Sequence, residues 1–218
     1  MGSEKLVAAG SITGSATEGS ATVIVATGNA GKLAEIRAAL GFTGWRFIAA
    51  GEACEDWSGP AEDGETFEAN ARIKARAAWE HFKLPALADD SGLEVDALGG
   101  RPGVFSSRYA GSDATDADNN TKLLAELSAV PEASRKARFR ATVILIKGDG
   151  TEAVATGACE GMIGRVTSGD GGFGYDPLFL PEGASGRTMA ELTLAEKNAI
   201  SHRGAALRAL AAKIKAGG

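Results

Sequence analysis

Ala86-Leu87-Ala88-Asp89-Asp90-Ser91-Gly92-Leu93-Glu94-Val95-Asp96-Ala97-Leu98-Gly99-Gly100-Arg101-Pro102-Gly103-Val104 is the stretch around which the chain is organised. The apolar run from Leu84 to Ala88 reads as a strand that stops at Asp89 and Asp90, with Ser91-Gly92 behind it. Strand, carboxylates and then glycine is how α/β enzymes present charge at the C-terminal end of a strand. Adjacent carboxylates repel and persist best beside a cation or in open solvent. One reading is a Mg²⁺ site, because Mg²⁺ takes one or two carboxylates plus substrate phosphate oxygens. The other is a solvated Asp-Asp-Ser-Gly turn. The Gly99-to-Val104 segment reads as a rigid loop, being too glycine-rich for regular structure.

Upstream, Thr22-Val23-Ile24-Val25-Ala26 is a compact strand signal that runs into Thr27-Gly28-Asn29-Ala30-Gly31-Lys32. A helical pattern follows through Leu33, Ile36, Arg37 and Leu40. Strand, Gly-rich turn and helix put free backbone N–H groups and a helix N-terminus against a phosphate, and Lys32 adds a point charge. The spacing is too short for a P-loop, and Leu33 stands where that motif needs Ser or Thr. A plain strand-to-helix turn fits the same residues. Next comes Glu62-Asp63-Gly64-Glu65-Thr66, ahead of a helix running to about Phe82. Phe67, Ala71, Ala75, Ala78, Trp79 and Phe82 form its apolar stripe. Its acids favour the helix dipole, and Glu62 or Glu65 can complete a metal shell with Asp90. Lys74 is either an exposed helix lysine or one that reaches a phosphate.

Downstream, residues 113–129 read as an ordinary surface helix. Phe139 to Ile146 reads as a strand with Phe139, Ala141, Val143 and Leu145 inward, and Gly148-Asp149-Gly150 turns it into a second strand from Glu152. These elements carry no visible chemistry. Gly169-Asp170-Gly171-Gly172-Phe173-Gly174-Tyr175-Asp176-Pro177-Leu178-Phe179 interleaves glycines with aromatics. Such a loop can lay a flat ring on a nucleobase, or its aromatics can anchor it in the core. Thr193-Leu194-Ala195-Glu196 is a capping box. In one straight helix Lys197 and Arg203, six residues apart, would face different ways. For both to reach one ligand the helix must break near Ser201, which can cap a new one with His202 and Arg203 in its first turn.

The chain has 218 residues, 44% hydrophobic and 23% charged, with a net charge of −5. This fits a globular protein of ordinary domain size and argues against a nucleic-acid polymer as partner. Nothing has the length of a membrane span. Cys54 and Cys159 lie far apart without zinc-ligand spacing, and a cytoplasmic protein is expected. Residues 1–21, rich in Ser, Gly, Ala and Thr, read as a flexible extension, and residues 22–218 as a single domain.

Four segments together resemble one family. Thr27 to Lys32, Ala88 to Leu93, Gly172 to Pro177 and Glu196 to Arg203 are similar, in order and separation, to signatures of the inosine triphosphate (dITP/XTP) pyrophosphatases of bacterial type. The resemblance spans about residues 22–212. It implies an α/β fold with a long, twisted mixed β-sheet flanked by helices, two lobes, a central nucleotide-binding cleft and a homodimer. It implies Mg²⁺-dependent hydrolysis of non-standard purine nucleoside triphosphates to monophosphate and pyrophosphate, which would clear them from the nucleotide pool. By resemblance Asp90 is the catalytic acid–base and Ser91 a nucleotide contact. Thr27, Gly28, Asn29, Ala30, Gly31 and Lys32 form the phosphate loop, and Lys74 binds phosphate. Phe173, Gly174, Tyr175, Asp176, Lys197, His202 and Arg203 are further substrate contacts, and Glu62 joins Asp90 on the metal. Ala69 stands where the branch often has glutamate. The alternatives are a non-catalytic nucleotide sensor and a phosphohydrolase of ordinary nucleotides.

Overall fold

The structure is a computed structural model that describes residues 21–216. The extension expected over residues 1–21 lies outside the described residues, Ala21 excepted. In chain order the elements are β1 (Thr22–Val25), α1 (Ala30–Leu40), β2 (Arg46–Ala49), α2 (Ala50–Ala53), α3 (Phe67–Phe82) and β3 (Ala86–Val95). Then follow α4 (Asp116–Glu126), β4 (Lys136–Ile146), β5 (Glu152–Ile163), β6 (Phe179–Pro181), α5 (Leu194–Ile200) and α6 (His202–Ala216). The strands form one mixed sheet in the order β2-β1-β3-β4-β5-β6. β1 pairs in parallel with β2 and β3, and every later pairing is antiparallel. The expected α/β class, with a mixed sheet between helices, is what forms.

Helices cover both faces. On one, Leu33, Ile36 and Leu40 of α1 and Leu207 and Leu210 of α6 pack on Val23, Val25, Leu87, Val143 and Leu145. On the other, Ala71, Ala75 and Ala78 of α3 lie against Ile24, Ala86, Ala88, Ile144 and Ile146. The alanines let α3 approach the sheet closely. β4 is therefore buried on both faces, whereas its sequence reading gave it one inward face. Beyond them Leu93, Val95 and Phe139 meet Leu123 and Leu127 of α4 and Tyr175 and Phe179.

β3 corrects the sequence reading most. It does not stop at Asp89 but runs on through Ser91 and Gly92 to Val95. The reason is β4, which pairs with it along its whole length and sets Asp89 opposite Val143 and Asp90 opposite Thr142. There is no Asp-Asp-Ser-Gly turn, and both carboxylates are buried mid-strand. β1 pairs with β3 only at Ala86 and Leu87. Past Val25 the chain swings away into α1, leaving that edge of β3 from Ala88 onward beside open space. Because α1 covers one face and α3 the other, this is the topological switch point of the parallel part, where open α/β sheets bind ligands.

Candidate active site

A cleft of about 590 Å³ opens there, within the about 300–1,000 Å³ range of small-molecule sites. Its floor is Asp90 and Ser91. One wall is Thr27 to Ala30 with Lys32; the other is Glu62 and Lys74, and Trp57, Val104 and Ser107 close the rim. The first wall follows from capping. The Asn29 side chain accepts from the Lys32 N–H at 3.0 Å and the Thr27 hydroxyl from the Asn29 N–H at 3.1 Å, starting α1 at the cleft. Its first-turn N–H groups and Lys32 make that end positive.

Successive strand residues face opposite ways, so the neighbouring aspartates do not share a site. Asp90 faces α3, where Lys74 Nζ lies 3.0 Å from its Oδ1 and 2.9 Å from Glu62 Oε2. Burial raises the pKa of Asp90, with Lys74 pulling the other way. Burial likewise opposes the charge on Lys74, but Asp90, Asp89 and Glu62 outweigh it and hold its pKa above the ordinary lysine value. Glu62 sits in an irregular segment pinned at two points: Arg108 donates to the Glu62 carbonyl at 3.2 Å, and the Gly64 N–H to Asn70 Oδ1 at 2.8 Å. Glu65 is exposed and does not line the cleft.

Asp89 faces the other way, into a buried network. Lys32 Nζ lies 2.7 Å from its Oδ1, and Arg203 Nε donates to its Oδ2 at 3.0 Å. Burial alone would raise the Asp89 pKa, but Arg203 and Lys32 hold it far below the carboxylate range. Arg203, 1% exposed, also donates to Glu35 and, at 2.8 Å, to Ser91 Oγ. Lys197 Nζ bridges Glu35 Oε1 at 2.9 Å and Asp176 Oδ2 at 2.7 Å. The expected break is present: α5 ends at Ile200, Ser201 is extended, and its Oγ accepts from the Gly204 N–H at 3.0 Å to start α6. Lys197 and Arg203 therefore meet at Glu35. His202 stacks 4.7 Å from the Phe139 ring, and burial lowers its pKa well below the usual value, leaving a neutral imidazole.

The aromatic loop divides its labour. Tyr175 and Phe179 are core anchors, and the Tyr175 hydroxyl donates to the Ser106 carbonyl at 2.8 Å. Phe173 is half-buried, with Lys197 Nζ 4.5 Å and Arg203 Cζ 5.6 Å from its ring centre. The Phe173 N–H donates to Asp176 Oδ2 at 2.9 Å. Thus Thr27 to Ala30, Lys32, Glu62, Lys74, Asp90 and Ser91 meet in the cleft. Gly31, Phe173, Asp176, Lys197, His202 and Arg203 gather beside it, joined to the cleft through Lys32, Asp89 and Ser91. Sequence reasoning passed over Glu35, Trp57 and Arg108.

The model of the Ham1 family matches residues 23–213. The chain belongs to the Ham1 family. It is 50% identical over 188 residues to the dITP/XTP pyrophosphatase of Geobacter sulfurreducens, covering 86% of this chain and 94% of that protein. It is 48% identical over 190 residues to the protein of the same name from Shigella flexneri, covering 86% and 95%. Among solved structures, a HAM1 protein from Coxiella burnetii superposes with a TM-score of 0.79 at 43% identity, over 89% of this Ham1 chain and 98% of that one. A nucleoside-triphosphatase/dITP/XTP pyrophosphatase from Mycobacterium abscessus gives 0.69 at 44%, over 88% and 97%. Among the described residues, no helix is long and apolar enough to cross a membrane.

Proposed function

We propose that this Ham1 protein hydrolyses non-standard purine nucleoside triphosphates, ITP, dITP and XTP, to the monophosphate and pyrophosphate. The carrying observation is one cleft in which the positive end of α1, with Lys32, faces two carboxylates that converge on Lys74. Phosphates belong against the α1 end. The names of relatives about half identical to this chain supply the substrate class and the pyrophosphate product.

Glu62 and Asp90 fit a Mg²⁺ ion. They already converge on one cation, and Asp90 Oδ2 is buried without a hydrogen-bond partner. Mg²⁺ takes few carboxylates and completes its shell with phosphate and water oxygens. Bound there, Mg²⁺ supplies Lewis-acid polarisation of the phosphates. Asp90, its pKa raised by burial, orients the attacking water and takes its proton. Lys32 and Lys74 offset charge that grows on the leaving pyrophosphate.

The purine lies at the Phe173 end. Inosine and xanthosine carry a carbonyl at the six-position where adenosine carries an amine. Arg203 commits three of the guanidinium's five N–H donors to Asp89, Glu35 and Ser91, which fixes it in place and leaves two. A rigid donor there donates to the carbonyl and repels the amine. The protein acts as a cytoplasmic homodimer; exposed Phe105, beside the cleft-lining Val104, suits an interface.

Asp90→Asn tests the reading. It abolishes turnover of ITP while ITP still binds by calorimetry. Retained turnover removes Asp90 as the base.

A further inference from the structure

The sequence of α4 reads as that of a plain surface helix, yet its first two turns hold the loop that carries Phe173. Asp116 Oδ2 accepts from the Gly174 N–H at 2.6 Å, and Asn120 Nδ2 donates to the Gly174 carbonyl at 2.9 Å. Residues four apart share a helix face, so one face of α4 grips both main-chain groups of one residue. Gly174 has φ of 62°, a left-handed conformation that glycine adopts without steric cost. Asn120 is buried and its Oδ1 has no partner, so among the described residues the Gly174 carbonyl is its side chain's one hydrogen-bond partner. On one side of Gly174 is Tyr175, fixed in the core; on the other is Phe173, whose ring lies over Lys197 and Arg203. Glycine at 169, 171, 172 and 174 gives this loop a large backbone entropy to lose on ordering.

We propose that Asp116 and Asn120 are positioning residues for the nucleobase: by clamping Gly174 they hold the Phe173 ring at the height a purine needs, and so set affinity for the base and not for the phosphates. The clamp loses the loop's entropy before the ligand arrives, which is how preorganisation strengthens binding. This rests on the reading, given above, that the purine lies at the Phe173 end.

The test uses two non-reacting probes, inosine monophosphate for the base end and inorganic pyrophosphate for the phosphate end, with binding measured by calorimetry. Asp116→Ala and Asn120→Leu each weaken inosine monophosphate about tenfold, the size expected for one lost hydrogen bond to a charged or well-placed group. Pyrophosphate binding stays unchanged. Asp116→Asn, which keeps an oxygen acceptor, restores most of the affinity. Adding Phe173→Ala to either clamp variant costs little beyond Phe173→Ala alone, because all three act through one ring. Hydrogen exchange at the Gly174 amide quickens in Asp116→Ala. Should Asn120→Leu fail to fold, Asn120→Asp repeats the test with an acceptor set against the Gly174 carbonyl. If Phe173→Ala weakens inosine monophosphate but the clamp variants do not, the clamp is overturned and the base site stands. If the clamp variants weaken both probes alike, the effect is general loosening and the proposal fails. If Phe173→Ala leaves inosine monophosphate binding unchanged, the base site is misplaced and the clamp falls with it.

Discussion

Replacing Glu35 should unsettle the protein more than replacing any exposed acid. Glu35 is 2% exposed and accepts from both Lys197 and Arg203. Around it three cations, Lys32, Lys197 and Arg203, balance three carboxylates, Glu35, Asp89 and Asp176. Glu35→Ala leaves three cations against two carboxylates in a dry interior. Breaking a buried ion pair in this way costs about 3–5 kcal/mol. In a chain of this size each kcal/mol moves the thermal midpoint by about 2–4 °C, so the fall is about 6–20 °C. Thermal unfolding followed by circular dichroism measures it, with exposed Glu65→Ala as the unchanged control. Glu35→Gln keeps the volume and one oxygen acceptor and falls between. Because salt screens buried pairs poorly, the difference from wild type persists in 1 M NaCl, where the screening length is about 3 Å. A Glu35→Ala midpoint within about 2 °C of wild type, below the smallest loss the buried network allows, refutes the reasoning.

Other consequences are as direct. A Cβ at Gly92 would stand 2.5 Å from the Gly103 carbonyl and closer still to Ser106 Oγ. Gly92→Ala should therefore cost about 1–3 kcal/mol by chemical denaturation, and an unchanged midpoint contradicts that close approach. Burial, helped by Glu160, pushes the Cys159 thiol up to about 11. The raised value keeps it protonated at pH 8, so iodoacetamide should modify Cys159 only as the pH nears 11 or the protein unfolds; rapid native labelling there at pH 8 shows otherwise. Arg203→Ala should narrow the preference for ITP over ATP in kcat/KM, and unchanged selectivity moves base reading to another residue.

Local signals carried much of this fold. The strand, turn and helix around Thr27 to Lys32, the Gly148-to-Gly150 hairpin, the Thr193–Glu196 capping box and the helix break at Ser201 all depend on residues within a few positions, and each formed as the sequence indicates. What the sequence hid came from distant partners. Asp89 and Asp90 read as the end of a strand because nothing nearby shows that β4, some fifty residues on, continues the pairing past them. The unbroken apolar run Val143 to Ile146 was the available sign of a strand buried on both faces. Glu35 lies about 100° or more around α1 from Leu33, Ile36 and Leu40, so no pattern inside α1 marks it as buried. Its burial comes from Lys197 and Arg203, more than 160 residues away. The grip of α4 on Gly174 was likewise invisible, because Asp116 and Asn120 are ordinary residues for a helix start.

Product analysis bears hardest on the proposed reaction. ITP, XTP, ATP and GTP are each incubated with the protein, with and without Mg²⁺, and pyrophosphate is resolved from phosphate. The proposed reading predicts Mg²⁺-dependent pyrophosphate from ITP and XTP and little from ATP. Release of phosphate, or equal use of ATP, would contradict it; tight binding of ITP without turnover would instead mark a sensor.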